Sequence, residues 1–205
     1  MSCWAVIPVK SFALGKSRLA SVLGAEQRAA LNRHLFGRVL EAAQGAFSTN
    51  RIAVVTGDPL LLALARGHGL HGLDDPGGGL NAALGLGCQY ASERKARGIV
   101  VLSADLPLIG PADVAALVAA LGDKKGCVIA PDEQEEGTNA LAISPPDPDF
   151  FRFGAASFQA HLEAARIREL PVRILRRPGL AHDLDTPESY RRYAKGELAA
   201  SGALA

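Results

Sequence analysis

Cysteine is scarce in this chain. Its three residues, Cys3, Cys88 and Cys127, lie far apart with no Cys-x-x-Cys spacing, which excludes a disulfide frame and a structural zinc site and predicts buried thiols. Aromatic residues make up only 5% against a hydrophobic content of 48% that is mostly Ala, Leu and Val. That balance suits helices packed on an aliphatic sheet rather than an all-β sandwich. An excess of one charge is missing too: a formal net charge of +1 removes the case for bulk electrostatic binding to nucleic acid or to an anionic membrane. The opening Met1-Ser2-Cys3-Trp4-Ala5-Val6-Ile7-Pro8 has no charged region before its short apolar stretch, so neither a signal peptide nor a membrane span is predicted. The expectation is a reduced, cytoplasmic protein.

What is present is an alternation of strands and helices. Apolar segments of strand length occur at 3–9, 51–56, 98–102 and 126–131, and 138–144 adds another. Between them Leu31, Leu35, Val39 and Ala43 form one helical stripe, and Val114, Leu117, Val118 and Leu121 a second. Gly110-Pro111 opens the second helix and Gly122 closes it. Thr186-Pro187 has the form of an N-cap and first helical residue, so a last helix is expected from there towards Lys195. The pattern predicts a three-layer α/β/α fold with a mostly parallel sheet, in one domain over 1–205 that buries about 70% of its unfolded surface. Residues 132–168 read as an elaboration on the ligand edge of the sheet, and the tail from Leu198 is expected to fray.

The carboxylates carry most of the functional signal. Asp105 follows the buried run Ile99-Val100-Val101-Leu102, which places it at the carboxyl edge of an open α/β sheet, where such sheets bind ligands. In His182-Asp183-Leu184-Asp185-Thr186, residues two apart point the same way when extended, so Asp183 and Asp185 face one cavity about 7 Å apart. Any one of these aspartates alone reads as a cap or turn residue. Three converging on one edge repel unless a cation compensates, and magnesium is the expected cation.

The loop after the first strand contains Gly15-Lys16-Ser17, but a P-loop needs a glycine where Lys10 stands. Lys10, Lys16 and Arg18 can still hold a polyphosphate through ammonium and guanidinium groups; taken alone, the loop reads equally as a solvated basic turn. In Gly77-Gly78-Gly79-Leu80-Asn81 the glycines permit close backbone approach to a flat ligand, and Asn81 offers an amide to a base edge. The alternative there is a flexible linker. No Gly-x-Gly-x-x-Gly follows the first strand, so a dinucleotide fingerprint is absent. Thr138 stands at a loop-to-strand junction, and Gly154 and Ser157 at a loop-to-helix junction where backbone donors favour an anion; Ser157 also reads as a helix cap. His182 is the histidine beside the aspartates, while His34 and His161 read as surface or satisfied polar residues.

Taken in order, Val6-Ile7-Pro8-Val9-Lys10 with Lys16-Ser17-Arg18-Leu19, Gly79-Leu80-Asn81-Ala82-Ala83-Leu84, Ser103-Ala104-Asp105-Leu106-Pro107-Leu108, Gly137-Thr138-Asn139-Ala140-Leu141, Phe153-Gly154 with Ser157-Phe158, and Asp183-Leu184-Asp185-Thr186-Pro187-Glu188 span nearly the whole chain. This set resembles the 2-phospho-L-lactate guanylyltransferase family. The resemblance implies a nucleotidyltransferase of glycosyltransferase-A-like, Rossmann-like fold. It implies transfer of GMP from GTP to the phosphate of 2-phospho-L-lactate, phosphoenolpyruvate or 3-phospho-D-glycerate, with release of pyrophosphate, in coenzyme F-420 biosynthesis.

By the same resemblance, Asp105, Asp183 and Asp185 hold magnesium, and Pro8, Val9, Lys10, Lys16, Arg18, Gly79, Leu80, Asn81 and Ser103 hold the nucleotide. Thr138, Gly154 and Ser157 bind the acceptor with Lys16 reaching its charged end, and Asp105, Lys16 and Lys10 are the expected catalytic groups. The acidic run Asp132-Glu133-Gln134-Glu135-Glu136 is expected to alter access to the acceptor. The choice among the three acids stays open, as does the oligomeric state, for which a homodimer is one option. A molybdenum-cofactor nucleotidyltransferase and a non-catalytic nucleotide-binding regulator are the alternatives.

Overall fold

Alternate residues of the first apolar run enter different cores: Ala5 and Ile7 one cluster, Trp4 and Val6 another. The run is therefore a strand covered on both faces, as a central parallel strand must be. The computed structural model describes residues 2–75 and 77–200, with side chains through Leu198. It contains one seven-stranded sheet made of β1 (Cys3–Pro8), β2 (Ile52–Thr56), β3 (His71–Asp74), β4 (Gly98–Leu102), β5 (Gly126–Pro131), β6 (Thr138–Ser144) and β7 (Val172–Ile174), in the order β3-β2-β1-β4-β6-β5-β7. All pairs are parallel except those of β6, which runs against β4 and β5.

Helices cover both faces. On one side lie α1 (Ala25–Gln44), α2 (Pro59–Gly67) and α4 (Pro111–Leu121), which contribute Val39, Leu61 and Leu117 to the first cluster. On the other lie α3 (Leu80–Glu93) and α5 (Ser157–Ile167), with Leu84 and Phe158 in the second. Gly87 lets α3 sit close on the sheet, since a Cβ there would lie 2.5 Å from Val6 Cγ1 and 3.1 Å from Val55 Cγ2. The expected three-layer arrangement is thus present, and the three cysteines are free and buried. Burial pushes the thiols of Cys88 and Cys127 up to about 12.

The last helices among the described residues are α6 (Pro187–Ala194), capped by Thr186 as its residue types predict, and α7 (Glu197–Ala200). The expectation of fraying from Leu198 needs correction: that side chain is buried against Leu35 and Leu184 in a third small cluster. The part of that expectation that concerns 201–205 lies outside the described residues.

Two features of this topology create the functional edge. β1 has β2 on one flank and β4 on the other, so the connections diverge there and open a crevice at the carboxyl ends of β1 and β4. The reversal of β6 sets Ala140 opposite Leu102 and so brings the start of β6, Thr138, to that same edge.

Candidate active site

The loop leaving β1 is pinned from beneath. Asn32 of α1 donates from Nδ2 to the Phe12 carbonyl at 2.8 Å, and a Cβ on Gly15 would strike that same Nδ2 at 2.5 Å. The loop ends at Lys16, a non-glycine residue at φ 59 that precedes a short 3-10 turn, Ser17–Ser21, anchored by the fully buried Leu19. A left-handed backbone at a lysine costs about 1 kcal/mol. In return, Lys16 Nζ reaches Asp105 at 2.8 Å and Asp185 at 2.7 Å, with its side chain only 6% exposed.

The aspartates arrive from two directions. Asp105 follows β4, whose continuation is held to β6 where Ser103 N–H donates to the Asn139 carbonyl at 3.1 Å. The 183–185 segment lies alongside: Leu184 N–H donates to the Asp105 carbonyl at 3.3 Å and its side chain is fully buried. With Leu184 turned inward, Asp183 and Asp185 meet Asp105, and ligand oxygens of all three lie within 4.8 Å of one another.

Charge explains what such a cluster can hold. The Asp183 carboxyl is raised to about 6, first by burial and then by Asp105 and Asp185, against the pull of Lys16. Burial works against the charge on Lys16, but Asp105 and Asp185 outweigh it and raise its pKa. An ammonium thus already stands between two of the carboxylates as a stand-in cation, and the third remains poorly compensated. An all-oxygen donor set of this kind fits a hard divalent cation.

A cleft of about 410 Å³ opens over this cluster, lined among others by Pro8, Lys10, Lys16, Arg18, Leu80, Ser103, Asp105 and Asp185. Leu14, Gly15, Ser17, Asn32 and Ala104 also line it, and sequence reasoning assigned none of them. Val9 instead lies buried under the loop, with its N–H donating to the Val55 carbonyl. Gly77, Gly78 and Gly79 all adopt positive φ, between 90° and 109°, a backbone that side chains resist. They form a defined turn into α3 rather than a linker.

Asn81 departs from expectation. Its amide does not face the cleft but clamps the backbone of Phe153, donating to the carbonyl at 3.0 Å and accepting from the N–H at 2.8 Å. One of its two amide hydrogens and one lone pair of its oxygen are thus held by the protein's own backbone. Asn81 also borders a larger hollow of about 610 Å³ between α3 and the 148–152 segment, which contains none of the three clustered carboxylates. The smaller cleft is the one that Asp105 and Asp185 border.

Thr138, Gly154 and Ser157 are linked through α5. Gly154 has φ 140°, and Ala156, at φ 52°, is the N-cap of the helix, so Ser157 is its buried first residue and not its cap. Thr138 Oγ1 lies 3.0 Å from His161 Nδ1. Asn139, beside it, donates to the Leu180 carbonyl at 2.8 Å and ties the turn before the 183–185 segment to β6. A buried asparagine in an otherwise apolar strand is the signal that could have marked it. His161 is buried and satisfied, as expected of one alternative.

Three of the four acidic side chains in 132–136 are engaged within the protein. Asp132 accepts from the N–H groups of Glu136 and Gly137, Glu133 pairs with Arg192 at 3.1 Å, and Glu135 with Arg176 at 2.6 Å. His182 points to Glu133, 3.6 Å away.

Comparison with known proteins agrees with this arrangement. A family described as guanylyl transferase CofC like matches residues 3–193. A phosphoenolpyruvate guanylyltransferase from Rubrobacter xylanophilus is 47% identical over 204 residues, covering 100% of this chain and 97% of the relative. A 3-phospho-D-glycerate guanylyltransferase from Phenylobacterium zucineum is 35% identical over 196 residues, covering 94% and 89%. Among solved structures, a candidate nucleotide-diphospho-sugar transferase from Desulfovibrio desulfuricans G20 superposes with a TM-score of 0.78 at 20% identity, over 96% of this chain and 87% of that one.

Proposed function

The chain belongs to the family of CofC-like guanylyl transferases and is a nucleotidyltransferase, and from that premise we propose that it transfers GMP from GTP to the phosphate of phosphoenolpyruvate, serving coenzyme F-420 biosynthesis. The higher identity to relatives named for phosphoenolpyruvate supports that acid over 3-phospho-D-glycerate. Enzymatic kinship sets aside the non-catalytic regulator.

The chemistry follows from charge. An oxygen of the acceptor phosphate attacks the α-phosphorus of GTP; the new P–O bond forms as the bond to the β-phosphate bridge breaks, and pyrophosphate leaves with the electron pair. Both partners are anions, so the site must offset their repulsion and hold the approach in line. Lys10, Lys16 and Arg18, which line the cleft, supply positive charge to the triphosphate and the leaving pyrophosphate. Lys16 spans both halves, since it bonds the carboxylates from the nucleotide loop. Asp105, Asp183 and Asp185 would hold magnesium, which supplies Lewis-acid polarisation of phosphate oxygens when bound. The acceptor phosphate is already ionised at neutral pH, so neither a protein nucleophile nor a general base is needed.

The observation that carries this reading is the convergence of the three carboxylates within 4.8 Å beside a basic loop at the topological switch point. Asp105→Asn and Asp183→Asn are each expected to lower turnover by about two or more orders of magnitude while circular dichroism stays unchanged. Pyrophosphate release from GTP with each of the three acids, with products identified by mass, provides the measurement. Near wild-type rates in the variants would overturn the site, and a product formed only with another acid would overturn the acceptor.

A further inference from the structure

His161 plays no part in the chemistry above, yet it is fully buried and touches two separate pieces of the chain, the start of β6 and the 150–153 segment. Its Nε2 lies 3.0 Å from the backbone nitrogen of Arg152, its Nδ1 lies 3.0 Å from Thr138 Oγ1, and its ring sits between Phe150, stacked at 6.0 Å, and Phe153, edge-on at 4.7 Å.

These contacts determine where its proton sits. A backbone N–H can only donate, so Nε2 must accept from Arg152 and carries no hydrogen. In the neutral ring the proton is then on Nδ1. That nitrogen has no lone pair left for the threonine hydroxyl; it donates, towards Thr138 Oγ1 and the nearby Ser157 carbonyl. Thr138 can accept from His161 but cannot spend its own proton there, and among the described residues no other side chain takes that proton.

We propose that His161 is a positioning residue which, through the tautomer set by the Arg152 amide, turns the Thr138 hydroxyl into a committed donor for an anionic oxygen of the acceptor. The proposal rests on the reading of Thr138 as an acceptor-binding residue. A donor-only hydroxyl suits a carboxylate or phosphate oxygen and disfavours a ligand that presents its own N–H or O–H, so the pair selects for charge as well as shape. Burial holds the ring neutral across the physiological range, which keeps the arrangement in one state.

The test measures KM separately for GTP and for phosphoenolpyruvate. Thr138→Val, which keeps the shape and removes the hydroxyl, is expected to raise the acceptor KM about ten- to hundredfold with the GTP KM unchanged. His161→Leu is expected to do the same, and the double variant to be no worse than Thr138→Val alone. His161→Gln, which carries one donor and one acceptor as the neutral ring does, is expected to recover most of the loss. If Thr138→Val raises the acceptor KM and His161→Leu leaves it at the wild-type value, or raises both KM values together, the proposal falls while the acceptor reading stands. If Thr138→Val has no effect, the acceptor reading falls and the proposal with it. Nitrogen-15 spectra of the wild-type imidazole decide the matter without any variant: a proton on Nδ1 is expected, and a proton on Nε2 overturns the proposal.

Discussion

A histidine with no exposed surface must trade its charge for its place in the core, and His161 shows the terms. Its pKa is held down to about 4, by burial first, with the Ser157 carbonyl opposing and the Arg152 charge assisting. The unfolded chain keeps the ordinary value of 6.5, so between 6.5 and 4 the unfolded state binds the extra proton and the fold does not. The stability associated with the neutral ring is therefore complete above pH 6.5 and lost as pH falls through 4, and it amounts to up to about 3 kcal/mol. Urea unfolding at pH 7.5 and pH 4.5 should show His161→Gln losing correspondingly less stability than the wild type on acidification. Parallel profiles would mean that the ring titrates normally in the folded state. Nothing in the sequence distinguishes this residue from His34, because the partners that define it, Thr138 and the Arg152 amide, come from other segments.

At the scale of elements, the clamp between α3 and the segment before α5 changes what Asn81 is for. A base-edge contact would make Asn81→Ala a defect in GTP binding alone. The bidentate hold on Phe153 joins the glycine turn that opens α3 to the backbone that leads into Gly154. Asn81→Ala should thus raise KM for both substrates and cost about 1–3 kcal/mol in unfolding free energy, at about 1 kcal/mol or a little more for each hydrogen bond lost. An effect confined to the GTP KM, with unchanged stability, would restore the base-edge role. Elements with strong local punctuation were legible from their residues: Pro111 and Gly122 bracket α4, and Thr186-Pro187 opens α6. The central strands were equally plain, since burial on both faces demands unbroken apolar runs. β3 and β7 escaped because they are edge strands of four and three residues, His71–Asp74 and Val172–Ile174, only partly buried and without an apolar run. Propensity has little to act on in such pieces, and pairing with a neighbour defines them.

For the molecule as a whole, the cleft depends on residues that only the topology brings together. Lys16 is separated from its two carboxylate partners by 89 and 169 residues. The aspartates could be picked out because each sits beside a recognisable strand or an alternating segment, whereas the lysine's place between them could not. Its ammonium now closes the fold from both ends, alongside the small core in which Leu35, Leu184 and Leu198 meet. Removing it by Lys16→Met leaves three adjacent carboxylates without their nearest cation. A fully buried charge left alone would cost several kcal/mol, but Asp185 has 44% of its side chain exposed and water screens it, which reduces the expected loss to about 1–2 kcal/mol in chelator. A divalent ion bound to the same carboxylates compensates the same charge and, by mass action, stabilises only the folded chain. Millimolar magnesium should therefore stabilise Lys16→Met more than the wild type in urea unfolding and close most of the gap between them. A gap of equal size with and without the ion would show that the lysine and the cation do not share a site.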